Sequence, residues 1–157
     1  MTKIKICGLT SPADIAAVNA ALPDFIGFVF ADSRRRVAFN AAAALKETLD
    51  ARIRAAGVFV NAEPGDIARL CRGGVIDLVQ LHGDEDAAYI AALKKNINCP
   101  VIKAVRVQSA PQLLAAEKLP CDYLLLDTYR KNAYGGTGES FDYALIPPLK
   151  KPFFLAG

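Results

Sequence analysis

Short apolar strands alternating with helices predict an α/β fold for this chain, with a (β/α)8 barrel favoured over an open doubly wound sheet. Three observations carry that expectation. Strand and helix patterns alternate with a repeat of roughly 20–30 residues, the size of one βα unit. Lys3, Lys5 and Lys103 fall inside strand patterns, an awkward place between two helix layers but an acceptable one on the inner face of a barrel near its ends. No strand–turn–helix junction carries GxGxxG or a Walker A loop, the commonest nucleotide signatures of open sheets. Against the barrel stands the count: seven strand patterns are legible where closure needs eight.

The first strand runs through Lys3 to Cys7 and stops at Gly8. Its alternation places Lys3, Lys5 and Cys7 on one face and Ile4 and Ile6 on the other. Ser11-Pro12-Ala13-Asp14 is a helix start, with Ser as cap, Pro at the first helical position and an acid three residues beyond the cap. Ile15, Val18 and Leu22 then form an apolar stripe ending near Pro23. Phe25 to Phe30 is continuously apolar, as suits a parallel strand covered on both faces. After the basic loop Arg34-Arg35-Arg36, Asn40 is expected to cap an Ala-rich helix reaching about Arg52.

Ala55 to Val60 reads as the third strand, and Asn61 to Pro64 lead into a helix through Ile67 and Leu70, stopped by Gly73-Gly74. Leu78 to Gly83 is the fourth strand, with Gln80 and His82 on one face. Asp84-Glu85-Asp86 places negative charge on the first turn of the next helix, where the macrodipole favours it. Val101 to Arg106 is the fifth strand, with a helix starting at Ser109. Tyr123 to Asp127 is the sixth, followed by a glycine-rich loop, a short helix near Tyr143 to Ile146, and a seventh strand at Phe153 to Ala156.

Composition narrows the function classes. A hydrophobic fraction of 53% with 22% charged residues excludes a disordered chain. The net charge of +3 is mild and its basic residues are dispersed apart from Arg34 to Arg36, which gives no general case for nucleic-acid or membrane binding. No signal-peptide pattern or spanning apolar run is legible. Cys7, Cys71, Cys99 and Cys121 lack CxxC or CxxH pairing, so reduced thiols in a cytoplasmic protein are expected rather than a disulfide framework or a zinc site. Cys71, Cys99 and Cys121 are assigned to packing.

Just beyond the strands stand Cys7, Arg34 to Arg36, Asn61, His82, Arg106, Asp127 and Gly157. The C-terminal ends of parallel strands form the edge where such folds bind ligands. A thiol facing a carboxyl across that edge supplies a base and an acid for proton transfer. The arginines point to an anionic substrate, because a guanidinium fork pairs with carboxylate or phosphate.

Nine segments, in order and at natural spacing, carry a resemblance across the whole chain: Lys5-Ile6-Cys7-Gly8-Leu9, Gly27-Phe28, Ser33 to Val37, Gly57 to Asn61, Val79-Gln80-Leu81-His82-Gly83, Leu126-Asp127, Gly135 to Gly138, Phe141-Asp142 and Leu155-Ala156-Gly157. Together they resemble the phosphoribosylanthranilate isomerases of tryptophan biosynthesis. The resemblance implies a (β/α)8 TIM barrel and an Amadori rearrangement of N-(5-phosphoribosyl)anthranilate to 1-(2-carboxyphenylamino)-1-deoxyribulose 5-phosphate, with no metal and no organic cofactor. It assigns Asp127 as general acid, Cys7 as general base and Arg36 as partner of the anthranilate carboxylate. Gln80 and His82 are expected to contact substrate at the floor and wall of the pocket rather than to transfer protons, Gly157 to belong to the phosphate-binding loops, and Gly135 to Gly138 to form a mobile flap beside Asp127.

Family members are expected to run about forty residues beyond the seventh strand, through a helix, an eighth strand and a last helix. The sequence in hand stops at Gly157, so it reads as a single incomplete barrel domain. The expected partner is a small phosphorylated substrate, with self-association through open barrel edges. The alternative is a non-catalytic βα module that needs a complementing segment or a second copy to fold.

Overall fold

The structure is a computed structural model and describes residues 2–128 and 141–156. Its elements alternate as expected: β1 (Lys5–Cys7), α1 (Pro12–Ala21), β2 (Phe25–Val29), α2 (Phe39–Glu47), β3 (Arg54–Phe59), α3 (Pro64–Arg72) and β4 (Leu78–Leu81). There follow α4 (Ala87–Lys94), β5 (Val101–Val107), α5 (Ala110–Ala116), β6 (Tyr123–Thr128), a 3₁₀ turn at Tyr143–Leu145, and β7 (Phe153–Leu155). The seven strands form one sheet in chain order, each parallel to the next.

That sheet is curled. Across a flat sheet, β2 and β7 would stand about 24 Å apart at roughly 4.8 Å per strand. The rings of Phe25 on β2 and Phe154 on β7 instead meet edge-to-face with centroids 5.4 Å apart. Phe154 also meets Tyr123 of β6 at 5.8 Å. Phe25, Ala56, Leu78, Ile102, Ala104 and Leu125, from five successive strands, pack in one cluster on the concave side. This is the filled interior of a β/α barrel. The alternate residues, such as Ile26, Phe28, Phe59, Val79, Leu81, Val105 and Leu126, face outward into a larger core with the helix residues Ile15, Val18, Leu45, Ile67, Ile90 and Leu113.

A repeated device seats the strands. Asp24, Asp77 and Asp122 each precede an even-numbered strand and accept a backbone N–H from the strand before: Ile4 at 2.8 Å, Ala55 at 2.7 Å and Val101 at 2.7 Å. Each carboxylate satisfies an N–H that the parallel ladder leaves unpaired at its lower end. Lys46 and Lys94, in the last turns of α2 and α4, pair with Asp77 at 2.6 Å and Asp122 at 2.7 Å, tying those helix ends to the same posts.

The α1 cap is realised as a full capping box between Ser11 and Asp14. Three local expectations are corrected. Asn40 does not cap α2, which begins at Phe39 with no side-chain cap bond at Ala38. Its start is set by packing: Phe39 meets Phe30 edge-to-face at 5.2 Å, and Val37 N–H bonds Val29. Nor does α2 reach Arg52, because Thr48 closes it and Asp50 organises a turn, with its carboxyl drawn down to about 2 by Arg52. Lys103 does not lie on the inner face. It shares the helix side of β5 with Val101 and Val105, where it is buried against Glu85 at 2.9 Å. Glu85 turns inward to that ion pair, and Asp86 alone caps α4 through the Tyr89 amide. The lysine argument for a barrel thus fails for Lys103, although the barrel stands.

Candidate active site

The curl of the sheet brings the C-terminal ends of the strands around one concavity, and Cys7, Gln80, His82 and Asp127 lie on its rim. Cys7 ends β1 on the same face as Lys5. Its side chain lies over Gly27 of β2 so closely that a Cβ there would sit 2.5 Å from the Cys7 sulfur. Glycine at 27 is therefore what lets the thiol lie inward beside β2. Gly8 turns the chain immediately afterwards with φ +91°, a conformation that costs other residues but not glycine.

Asp127 closes β6 on the concave side, 5% exposed. Its Oδ2 lies 3.0 Å from His82 Nε2, and its Oδ1 accepts the Thr128 amide at 2.8 Å. His82 follows β4, its backbone N–H bonded to Phe59. Its other ring nitrogen, Nδ1, lies 2.9 Å from the side-chain amide nitrogen of Gln80, two residues earlier on the same face. The three side chains thus form one hydrogen-bonded line from β4 to β6. Gln80 is 2% exposed and its Oε1 has no partner among the described residues.

The charges on this line decide its resting state. Burial pushes the Asp127 carboxyl up, but the His82 hydrogen bond and charge, the Thr128 amide and the Arg106 guanidinium outweigh it, leaving the carboxyl below its ordinary value. Arg106 is the β5 register neighbour of Asp127 and also pairs with Asp84 at 3.1 Å. Asp127 at rest is an anion at neutral pH.

The segment after His82 is clamped. Lys103 Nζ donates to the Gly83 carbonyl at 2.6 Å and to Glu85 Oε2 at 2.9 Å. Glu85 in turn accepts the Gly83 amide at 3.0 Å and the Asn61 amide at 2.8 Å. Asn61, with φ +49°, accepts the Asp84 amide at 2.8 Å, so its part is to brace the β3 and β4 loops against each other. The sequence reading missed this clamp. Its available signal was a lysine inside an apolar strand together with an extra acid beside the α4 cap.

Arg36 bridges Val29 through its backbone and has an exposed side chain. The guanidinium that reaches the thiol end of the site is that of Arg35, whose Nη1 donates to the Cys7 carbonyl at 3.1 Å and whose side chain covers Gly8. No hydrogen bond or ion pair joins Cys7 to Asp127 among the described residues. Gly157 and the Gly135 to Gly138 segment lie outside the described residues. Cys71 and Cys99 hydrogen-bond each other outside this site, a contact that raises the Cys71 thiol and lowers that of Cys99. Cys121 is buried. Among the described residues no group of three metal-ligating side chains is assembled, and no helix is long and apolar enough to cross a membrane.

Comparison with known proteins bears on what this rim does. A family model described as N-(5'-phosphoribosyl)anthranilate (PRA) isomerase matches residues 4–157. The N-(5'-phosphoribosyl)anthranilate isomerase of Endomicrobium trichonymphae is 48% identical over 157 residues, covering 100% of this chain and 77% of that protein. The crystal structure of phosphoribosyl anthranilate isomerase from Thermotoga maritima superposes with a TM-score of 0.82 at 31% identity, over 100% of this chain and 77% of that one. A phosphoribosyl anthranilate isomerase in complex with reduced 1-(o-carboxyphenylamino)-1-deoxyribulose 5-phosphate superposes with a TM-score of 0.72 at 33% identity, over 82% of this chain and 66% of that one.

Proposed function

The chain belongs to the N-(5'-phosphoribosyl)anthranilate isomerase family of tryptophan biosynthesis, and from that premise we propose which of its residues perform the isomerisation. The substrate is a small phosphorylated aminosugar, in keeping with the phosphorylated product analogue bound by the related solved enzyme. Asp127, carrying a proton, gives it to the furanose ring oxygen as the C1–O bond breaks, leaving a C1 iminium. Cys7, as thiolate, removes the C2 proton, and the C2–H electrons form the enolamine. Loss of the C2 hydroxyl proton and protonation at C1 give the ketone. The chemistry uses only an acid and a base, which the thiol and carboxyl supply from two ends of one concave rim.

The observation that carries this reading is the buried Asp127 carboxyl held on the concave side by His82 at 3.0 Å, with Cys7 presented inward over Gly27 at the same strand-end level. Arg36 is assigned to the anthranilate carboxylate, with Gln80 and His82 at the pocket floor and wall, and Gly157 to the phosphate loops. The described residues pack as two apolar layers on the two faces of one sheet, consistent with a single domain, and a cytoplasmic location suits a biosynthetic enzyme with free thiols. Among the described residues β1 pairs only with β2 and β7 only with β6. Ile4, Ile6, Phe153 and Leu155 are exposed beside those edges. Any form of the chain in which the edges stay open is expected to self-associate through them, which size-exclusion chromatography measures.

The experiment for the chemistry is chromatographic quantitation of substrate and product with Cys7→Ala and Asp127→Asn. Each is expected to lower turnover by about 10²–10⁴-fold with substrate affinity retained. Near-parental turnover in either variant removes that residue from the mechanism.

A further inference from the structure

A resting Asp127 carboxylate is the wrong protonation state for a general acid, and the residues behind it suggest how it is loaded. Gln80 is buried, and among the described residues its side-chain amide has one partner, His82 Nδ1 at 2.9 Å, with Oε1 unpaired. As the contacts stand, the amide N–H donates to Nδ1, so the imidazole carries its proton on Nε2 and donates it to the Asp127 carboxylate. Turning the amide over exchanges its oxygen and nitrogen in the same space. Gln80 Oε1 then accepts from a protonated Nδ1, and Nε2 is free to accept from a protonated Asp127. Among the described residues one end of the amide is unpaired in either orientation, so no described side chain other than His82 selects between them. The backbone is held still meanwhile: His82 N–H bonds Phe59, and Gly83 is gripped by Lys103 and Glu85.

We infer that Gln80 and His82 are positioning residues that load Asp127 with the proton it delivers, the Gln80 amide reversing to match the protonation of the imidazole. The inference rests on the proposed acid role of Asp127. A proton from solvent water, to which the His82 side chain is 11% exposed, enters at Nδ1 as the amide turns, making the imidazolium. The Nε2 proton crosses the 3.0 Å hydrogen bond to Asp127 Oδ2, and Asp127 gives it to the ring oxygen. His82 is left neutral with its proton on Nδ1, and its return to the Nε2–H form closes the cycle. The proton lost from the C2 hydroxyl as the enolamine becomes the ketone replaces the one delivered, so the cycle is proton-neutral. The groups facing this line are Arg106 from β5, with Asp84 paired to it, the Thr128 amide of β6, and Cys7 from β1 on the same concave face. Lys103 and Glu85 lie on the opposite, helix side of the sheet. The His82 hydrogen bond and charge and, less strongly, Arg106 hold Asp127 ionised at rest, so the carboxyl gains its proton only as the Nε2 proton itself is handed across.

His82 is the single histidine of the sequence, so the imidazole nitrogen-15 resonances of the labelled full chain report this line without assignment. The expected spectrum without substrate has the neutral imidazole's proton on Nε2, the nitrogen that faces Asp127. The Gln80 side-chain amide resonances are expected to change when the imidazole changes its protonation. In Gln80→Met, which removes the amide at nearly constant volume, the Nε2–H preference weakens, kcat falls by about tenfold or more, KM stays within about twofold, and the limb of the kcat–pH profile that reports the acid shifts. Gln80→Glu restores an acceptor for Nδ1–H and is expected to recover part of kcat with a displaced pH optimum. A neutral-pH imidazole protonated on Nδ1 in the parent, or Gln80 amide signals blind to the His82 titration, overturns the inference with no variant needed. So does a Gln80→Met enzyme whose kcat–pH profile matches the parent. Full turnover in Asp127→Asn would instead refute the acid role beneath it, and the two failures are distinct.

Discussion

Replacing Glu85 by glutamine removes the counter-ion of a buried ammonium group. The side chains of Lys103 and Glu85 are 7% and 1% exposed and 2.9 Å apart. Breaking such a pair from one side costs about 3–5 kcal/mol, because the remaining charge stays buried without compensation. In Glu85→Gln the single amide oxygen can accept either from Asn61 or from Gly83 and Lys103, so the NH2 end is left facing backbone or ammonium donors and the Lys103 charge loses its counter-charge. In Lys103→Met the Glu85 carboxylate keeps both backbone donors, Asn61 and Gly83. The first variant is therefore expected to be less stable than the second by about 1–2 kcal/mol, the scale of one unsatisfied buried polar group. With a urea slope of about 2 kcal/mol per molar, Glu85→Gln should lower the unfolding midpoint by roughly 2 M. The sequence contains no tryptophan, so far-UV circular dichroism is the suitable probe. The double variant closes a thermodynamic cycle and should be more stable than Glu85→Gln alone. A Glu85→Gln protein within about 0.5 kcal/mol of the parent, or a Lys103→Met protein that is the less stable of the two, would refute the clamp.

The other expectations concern the rim. Gly27→Ala puts a methyl 2.5 Å from the Cys7 sulfur, so the thiol must move. Turnover is expected to fall by about 10²-fold, and a parental kcat would show that the thiol position is immaterial. Arg36→Met should raise KM while leaving kcat close to the parent, since a carboxylate contact held through the reaction is uniform binding. A kcat loss at constant KM would assign Arg36 elsewhere, and the same kinetics on Arg35→Met test whether the guanidinium beside Cys7 takes that part instead. The depressed Asp127 carboxyl contributes stability that is present above its unfolded value of about 3.9 and is lost as pH falls through the folded value. The stability gap between parent and Asp127→Asn should thus be larger at pH 6 than at pH 3, as urea unfolding at both pH values will measure. An equal gap at the two would contradict the His82 pairing.

Much of the fold was legible because parallel β/α units write themselves locally. The Ser11-Pro12-Ala13-Asp14 start works as a capping box within four residues of chain, and Gly74, at φ +67°, turns the chain at the end of α3 so that the Val75 amide bonds back to Leu70. Phe25 to Phe30 is apolar throughout because both faces of its strand are covered. The α2 boundaries failed for the complementary reason. Its start depends on Phe39 meeting Phe30, and its end on a turn around Asp50, which also accepts from Arg52 and donates its own N–H to Asn19. Those partners lie outside any window that reads Asn40 as a cap.

The sequence by itself determined the alternation of elements, the strand-end positions of Cys7, His82 and Asp127, and, through its ordered motifs, the family. It did not determine which face a side chain takes when two distant partners compete for it. Lys103 looked like an inner-face lysine because period-two alternation gives a strand two faces without naming them. The curl of the sheet made one face a packed interior and left the other to helices, and the buried carboxylate of Glu85 made the helix side tolerable for a charge. The same curl brought His82, at the end of β4, to Asp127, at the end of β6, across the intervening β5. Residues 45 positions apart meet there because side chains on a concave surface converge. That is a property of the curled sheet and of no segment alone.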